Sequence, residues 1–274
     1  MQNKKTSWLI TFLLFLGSLV ILIPIYLTIT IAFKTPQEMA GNLFALPQNW
    51  GFDNFIQAIE MTNFFSALKN SVIVTIFVVF FTVMTNSLVA YVIARNMHKK
   101  VYKTLYYYFL SAMFIPFPII MLPLVKQTSA WGMDNLVGLI ILYTVFNISF
   151  NVFIYIGYIR SIPMELEEAA VMDGASTWGV FWKVIFPLLA PMNATVAILT
   201  CIGAWNDFML PLVLLSDREM ATLPLVQYIF QSQFSTDYNL AFASYLMALT
   251  PMIIVYIIAQ KWIISGVTNG AVKS

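Results

Sequence analysis

Long intervals without a single charged residue dominate this chain. Asp, Glu, Lys and Arg are all absent between Lys5 and Lys34, Lys69 and Arg95, Lys103 and Lys126, Asp134 and Arg160, and Asp237 and Lys261. A sixth apolar stretch, 188–215, is interrupted only by Asp207. About 20 mainly apolar residues suffice for a helix to cross the hydrocarbon core, and lipid admits only helices or closed barrels. Because stretches such as 72–85 lack the period-two alternation of barrel strands, the sequence predicts an all-α polytopic membrane protein.

Six transmembrane helices are predicted, at 8–33, 71–94, 105–125, 136–159, 190–214 and 240–263. The composition agrees, since 9% of the residues are charged, whereas soluble domains carry about 25%. The first apolar run is about twice the 7–15 residues of a signal peptide, so we interpret it as a retained helix. Prolines 116, 118, 123, 191, 211 and 251 predict kinks. Such kinks suit a transport pathway but also occur in inert bundles.

The distribution of Lys and Arg predicts the orientation. With six spans, one side of the membrane holds ten of these residues and the other holds four, Lys34, Lys69, Lys126 and Arg218. The richer side contains both termini and the segment 161–189, so we expect these in the cytoplasm. The loops 34–69 and 216–239 are then external.

Composition also excludes several classes of function. The net charge of +2 and the lack of a basic cluster interleaved with aromatic residues argue against a nucleic-acid partner. One cysteine, Cys201, and one histidine, His98, leave no disulfide, metal site or Cys/His catalytic site to be expected. No Gly-rich phosphate-binding loop ending in GKS or GKT is present. We therefore expect a chain that is not an enzyme and holds no cofactor or metal of its own.

The segment 161–189 is the unusual polar piece of the chain. Ser161, Pro163 and the acidic residues after them are start signals of a short helix. Helical spacing predicts that Ala170 and Gly174 stack on one face, which would let another protein approach the backbone closely. A second short helix is predicted over 177–186, ending at Pro187. The alternative interpretation is an interfacial amphipathic helix anchored by tryptophans.

The order of residues in this segment resembles a known motif. Glu168-Ala169-Ala170, then Gly174, Val184, Phe186 and Pro187, resembles the EAA loop of permease subunits of bacterial ATP-binding-cassette (ABC) importers. That family more often has Ile and Leu where this chain has Val184 and Phe186. The extension through Asp173 and Ala175, the run 205–208 and the C-terminal run 266–273 are similar to the carbohydrate-uptake branch. In detail the chain resembles the second permease subunit of maltose-type importers.

The resemblance implies an architecture and a set of partners. It implies a type I ABC importer permease fold in the bacterial cytoplasmic membrane, working with a second permease, two ATPase subunits that bind ATP and Mg, and an extracytoplasmic solute-binding protein. We expect a first region of helix and external loop (1–68), a core of five helices with the coupling loop 161–189 (69–264) and a cytoplasmic tail (265–274). The predicted ATPase-coupling residues are Glu168, Ala169, Ala170, Asp173, Gly174, Ala175 and Pro187.

Asp207 is the only acid inside a predicted span. A charge in that position is a functional hypothesis by default, so Asn206 and Asp207 are candidates for the substrate pathway. The alternative is that Asp207 fixes helix packing. The tail from Gly266 either reaches the ATPase pair or is an unstructured end.

The predicted cargo is a sugar or oligosaccharide delivered by the binding protein to loops 34–69 and 216–239. A polyol, a sugar-phosphate or an amino acid carried by the same type of importer is one alternative. A membrane enzyme or secondary carrier working alone is the other, although the spans contain no cluster of ionisable residues of the kind that coupling usually needs.

Overall fold

The computed structural model describes residues 8–230 and 237–271, and every regular element in these ranges is helical. Four helices are long and apolar enough to cross a membrane by themselves. They are α1 (Trp8–Ala32), α4 (Phe64–Arg95), α7 (Leu136–Ile159) and α14 (Tyr238–Ala271). These helices correspond to the first, second, fourth and sixth predicted spans.

The third predicted span is a broken pair of helices instead of one kinked helix. Helices α5 (Lys100–Ala112) and α6 (Phe117–Ala130) meet at an angle of 103°. Pro116 is the residue before α6 and Pro118 lies in its first turn. Proline is tolerated there because the first amides of a helix have no intrahelical acceptor. The prolines therefore mark the start of a new helix, and the change in chain direction there is larger than that of a kinked helix.

The fifth predicted span is also divided. Short helices α9 (Thr177–Val180) and α10 (Phe186–Leu188) flank a π-helical turn, Phe181–Ile185, and the chain then bends by 75° into α11 (Ala190–Asn206). After a break at Asp207 and Phe208, α12 (Met209–Leu214) follows. The prediction of one helix over 190–214 is therefore wrong. With each bent pair taken as one span, the described chain has up to six spans.

Short helices make up the segments between the spans. They are α2 (Pro36–Gly41), α3 (Asp53–Thr62), α8 (Glu165–Met172) and α13 (Leu223–Gln227), with single 3₁₀ turns at Arg218–Met220 and Tyr228–Phe230. Helix α2 begins with a capping box, in which Glu38 accepts from the Thr35 amide while the Thr35 hydroxyl accepts from the Glu38 amide.

The chain divides into two compact units. The first comprises residues 1–65 and 226–254, and its core contains Ala32, Ala58, Phe230, Leu240, Ala241 and Ala243. Asn54 is fixed in this unit because its amide donates to the Ala32 and Lys34 carbonyls, both at 2.9 Å, and accepts from Asn239 at 3.0 Å.

The second unit, residues 66–225 and 255–274, contains two buried apolar clusters. The first cluster lies where α4 and α7 end and α11 begins, and it includes Tyr91, Tyr155, Ile159, Ile162, Phe181, Ile185 and Leu189. The second cluster joins the opposite ends of α4 and α7 to α12, through Val74, Val78, Leu139, Leu142, Leu210 and Leu214. Helix α8 and the π-helical turn lie beside the first cluster, so the segment that contains the predicted coupling residues packs on buried apolar side chains.

Candidate functional site

Helix α8 ends in a complete Schellman motif. Asp173 is the cap residue and Gly174 follows it with a φ of +87°. The Gly174 amide donates to the Val171 carbonyl and the Ala175 amide donates to the Ala170 carbonyl, both at 2.9 Å. These two bonds satisfy carbonyls that the end of the helix leaves free. The turn therefore fixes the residues that follow α8.

The predicted role of Gly174 needs correction. It does not stack on Ala170 on a helix face, because the helix has ended at Met172. Within the described residues, no neighbouring atom lies within 4 Å of the position that a Cβ on Gly174 would take, so free space is not the constraint. The constraint is the positive φ, which L-residues with a Cβ adopt only with strain.

The predicted start of α8 is wrong in detail. The helix begins at Glu165 after Met164, and no side chain in the described part of the protein caps its first amides. The Ser161 hydroxyl instead donates to the Tyr158 carbonyl at 2.7 Å, at the end of α7. Glu165, Glu167 and Glu168 all lie in the first turn of α8, where negative charge offsets the positive end of the helix dipole.

The surface of α8 and its turn is partly apolar and largely exposed. The exposed fraction is 87% for Met172, 55% for Val171 and 44% for Leu166. The coupling residues predicted from the sequence differ in their exposure. Ala170 and Ala175 are half-buried and pack against the first cluster. The others are exposed: Glu168, Ala169, Asp173, Gly174 and Pro187. A rigid element that exposes several large apolar side chains is suited to contact with another protein.

A buried ion pair ties α8 to the end of α4. The Arg95 Nε and Nη2 atoms both lie 2.6 Å from Glu167 Oε1. The other carboxylate oxygen of Glu167 accepts from the Tyr91 hydroxyl at 2.7 Å. Nη2 of Arg95 also donates to the Ile162 carbonyl at 3.1 Å. This is the one ion pair in the ranges that the structure describes.

Sequence reasoning missed this pair. Arg95 and Glu167 are 72 residues apart, and Glu167 is one of three acids in a four-residue stretch, of which only it is buried. In the sequence, Arg95 lies at the end of a charge-free interval. That position indicates the end of a span, but it does not indicate which acid pairs with Arg95. The pair means that α8 cannot move without breaking a buried contact or moving the end of α4 with it.

A second brace runs through aromatic rings. The rings of Tyr91 and Phe181 lie 5.3 Å apart, and those of Phe181 and Trp182 lie 4.8 Å apart. Phe181 begins the π-helical turn and is almost fully buried. Isolated π-helical turns are rare in proteins and often lie at functional sites. Tyr91 thus contacts both α8, through Glu167, and the turn that leads into α11.

The prediction that the second short helix ends at Pro187 is wrong. Its first turn begins after Ser176, whose hydroxyl accepts from the Gly179 amide at 3.2 Å. Pro187 lies in the first turn of α10, and helical structure continues to Leu188. The change in direction comes at Leu189, which is fully buried in the first cluster.

Asp207, the acid in the fifth span, lies at the break between α11 and α12. Its Oδ1 accepts from the Met209 amide at 3.0 Å, and its Oδ2 accepts from the Leu210 amide at 3.3 Å and from the Tyr143 hydroxyl at 2.8 Å. The carboxylate therefore caps α12 and links it to α7. These contacts favour the packing interpretation of Asp207, while its place in a substrate pathway stays a prediction.

Asn206, the other pathway candidate, is exposed and its side-chain amide donates to the Ile202 carbonyl one turn earlier at 2.9 Å. Elsewhere in the described chain, no three His, Cys, Asp or Glu side chains group in a way that would hold a metal ion. The chemistry that this arrangement offers is protein contact at α8 and helix capping within the span.

Taken together, these elements define a class: a polytopic helical membrane protein that presents one rigid, partly apolar helical turn at the ends of its spans. The comparison with known families then specifies it. Residues 86–269 match the family described as the binding-protein-dependent transport system inner membrane component, and the chain belongs to that family. This confirms the predicted membership of the importer permeases.

Relatives match along nearly the whole chain. A multiple sugar-binding transport system permease protein of Streptococcus mutans is 41% identical over 95% of both chains. A probable starch degradation products transport system permease protein of Thermoanaerobacterium thermosulfurigenes is 35% identical over 97% of both. A melibiose/raffinose/stachyose import permease protein of Bacillus subtilis is 33% identical, over 99% of this chain and 98% of its own.

The fold also matches a solved structure. A bacterial ABC transporter involved in the import of the acidic polysaccharide alginate contains a chain that superimposes with a TM-score of 0.81, at 24% identity, over 95% of this chain and 98% of its own. The predicted importer permease fold is therefore confirmed.

Proposed function

We propose that this chain is a transmembrane permease subunit of an ATP-driven importer that moves a sugar or oligosaccharide from an external binding protein into the cytoplasm. The observation that carries the proposal is the exposed segment 165–175, braced on α4 by the buried pair of Arg95 and Glu167. The relatives named for transport of sugars or their oligomers support the cargo class.

The proposed energy source is a pair of partner ATPase subunits, which bind ATP and Mg. The Lys and Arg distribution supports a cytoplasmic position for α8 and both termini. The exposed apolar side chains of Leu166, Val171 and Met172 then form the contact with one ATPase subunit. Because Glu167 and Phe181 connect this contact to α4 and to the turn before α11, movement of the ATPase subunits shifts the ends of two membrane helices. The chain itself acts without catalysis and without a bound cofactor.

A second permease subunit and lipid cover the remaining apolar surface. In the 18-residue apolar window of α1, no residue is buried within this chain. Side chains such as Val20 and Ile21 are 66% and 70% exposed. Exposed apolar area of this extent requires lipid or another protein against it. The binding protein docks on the other side of the membrane, on loops 34–69 and 216–239.

Reconstitution tests the proposal. The full importer, with this chain, its second permease, its ATPase subunits and its binding protein, is placed in liposomes, and uptake of labelled raffinose, maltotriose and glutamine is measured with and without ATP. We expect ATP-dependent uptake of a saccharide only in the presence of the binding protein. Uptake of glutamine alone would replace the sugar by another solute class, and saccharide uptake without the ATPase subunits would indicate a secondary carrier.

A further inference from the structure

A cavity of about 630 Å³ opens in the first unit, bounded by residues 33–54. Its volume lies within the roughly 300–1,000 Å³ of small-molecule sites. Five side-chain amides and two carboxylates line it. None of the coupling or pathway residues described above belongs to it.

Buried hydrogen bonds hold the walls of this cavity. Lys34 is fully buried, and its Nζ donates to the carbonyls of Asn42 at 2.9 Å and Leu43 at 2.8 Å. The Glu38 carboxylate accepts from the amides of Thr35 and Gln48, both at 2.7 Å. Since these contacts close the segment 34–48 on itself, a ligand would find the walls already ordered, which lowers the entropic cost of binding.

Other polar side chains in the cavity do not take part in the hydrogen bonds that hold its walls. In the described ranges, the side chains of Gln37, Asn49 and Asp53 form no hydrogen bond within the chain. Asp53 Oδ2 and Asn49 Nδ2 lie 3.1 and 3.9 Å from the point that a Cβ on Gly51 would occupy. The absence of a side chain at Gly51 therefore lets the Asp53 carboxylate lie close to the backbone, with the Asn49 amide beside it.

A hydroxyl group matches this pair of atoms. Its hydrogen is donated to a carboxylate oxygen, and its oxygen accepts from an amide N–H. The Phe33 ring supplies an apolar wall and is held by contacts with Trp50 and Phe55, at centroid distances of 5.0 and 4.9 Å. Ordered apolar surface beside a few placed polar groups is typical of small-molecule sites.

We propose that the cavity bounded by residues 33–54 binds a neutral saccharide, with hydroxyl groups on Asp53 and Asn49 and an apolar sugar face against Phe33. Lys34, Glu38 and Asp53 sum to a formal charge of −1 at the cavity, which disfavours an acidic saccharide. The inference rests on the proposed function, in which residues 33–54 are external and receive the cargo as it leaves the binding protein.

Calorimetric titration of the complete importer in nanodiscs, without the binding protein, tests the site. The probes are raffinose and maltotriose, and the variants are Asp53→Ala and Gly51→Leu, which remove the acceptor and place a bulky side chain against it. We expect measurable binding to the unaltered importer and about tenfold weaker binding in each variant, as for the loss of one charged hydrogen bond. Glu60→Ala and Gln57→Ala, at exposed positions of α3 outside the cavity, are the matched controls and should bind like the unaltered importer.

Hydrogen exchange of residues 33–54 checks that each variant keeps its fold and that the sugar protects this segment in the unaltered chain. Absence of binding to the unaltered importer, or equal affinity in Asp53→Ala, overturns the inference. Binding-protein-dependent uptake separates this failure from failure of the proposed function. If saccharide is imported but none binds without the binding protein, only the cavity inference fails. If saccharide binds the cavity while the importer carries another solute class, the cavity stands and the proposed function fails.

Discussion

Removing one member of the Arg95–Glu167 pair should destabilise the chain and loosen α8. At 2.6 Å, the attraction between the two charges is about 6 kcal/mol for an effective dielectric constant of ~20. Desolvation of both groups offsets much of this attraction, so the net value of the pair is smaller. Stranding one charge of a buried pair costs about 3–5 kcal/mol. Because 12% and 11% of the two side chains remain exposed, water screens the stranded charge and we expect about 3 kcal/mol.

A double-mutant cycle measures this contribution. The free energy of unfolding is determined in mixed micelles by denaturant titration for Arg95→Met, Glu167→Leu and the double variant. We expect each single change to cost about 3 kcal/mol, and the double change to cost about 2 kcal/mol less than the sum, since it leaves no buried charge unpaired. Tyr91 loses its acceptor in both variants of Glu167, which keeps the double variant below the stability of the unaltered chain.

Glu165→Leu is the matched control, because Glu165 is an exposed acid of the same helix without an ion pair in the described chain. Its effect should stay within about 0.5 kcal/mol. If the costs of Arg95→Met and Glu167→Leu simply add, the pair does not stabilise α8 and the bracing account is refuted.

Gly174, Tyr143 and Glu38 each make a local contribution that can be measured separately. Gly174→Ala should cost about 1 kcal/mol of unfolding free energy, because φ at this position is +87°; an equal cost for Gly179→Ala, at a glycine without positive φ, would contradict this. Tyr143→Phe removes one of three donors to Asp207 and should cost about 0.6 kcal/mol without changing uptake, whereas a loss of uptake with unchanged stability would favour the pathway role. The pKa of Glu38 is lowered by backbone hydrogen bonds from Thr35 and Gln48. Its stabilisation of residues 35–48 is therefore present above its unfolded pKa near 4.5 and lost as the pH falls through the lower folded value. Hydrogen-exchange protection factors of this segment, corrected for the intrinsic exchange rate at each pH, should fall on acidification, and factors that stay constant would refute this.

The sequence predicts the straight spans well because lipid imposes a strong and simple constraint. Helix α7 spans Leu136–Ile159, the predicted range, since Asn135 supplies an N-cap and Arg160 marks the other end of the charge-free interval. Hydropathy does not show, however, where the chain bends within an apolar run. The 103° turn between α5 and α6 and the break at Asp207 lie inside apolar runs, where only Pro116, Pro118 and the lone acid indicate an interruption.

The position of the coupling site in the chain stays a prediction, whereas its expected geometry at Gly174 is wrong. Helical spacing was extended past Met172, so that Gly174 was assigned to a face of α8 although a glycine after a helix is the usual left-handed cap. The contacts of Glu167 depend on tertiary structure, because burial of one acid among Glu165, Glu167 and Glu168 is decided by the position of α4. Local pattern does not carry that information.

The same limit applies to the external segment. The Lys and Arg distribution predicts an external loop over 34–69, but not that Lys34 is fully buried or that Gly51 lies beside Asn49 and Asp53. Lysine is rarely buried without a carboxylate partner, and here two backbone carbonyls take that place.

Cross-linking at Met172 tests whether the segment 165–175 contacts the ATPase subunit. In a Cys201→Ala background, Met172→Cys places a thiol at the most exposed large apolar residue of the segment 165–175, and a matching cysteine is placed on the surface of the ATPase subunit. ATP-driven uptake is measured in liposomes before oxidation, after oxidation and after reduction. We expect a disulfide between position 172 and the ATPase subunit to form in importers that take up substrate, and uptake to continue with the disulfide in place because α8 moves together with the ATPase subunit. No cross-link at Met172 under conditions where uptake is active would contradict the proposed contact.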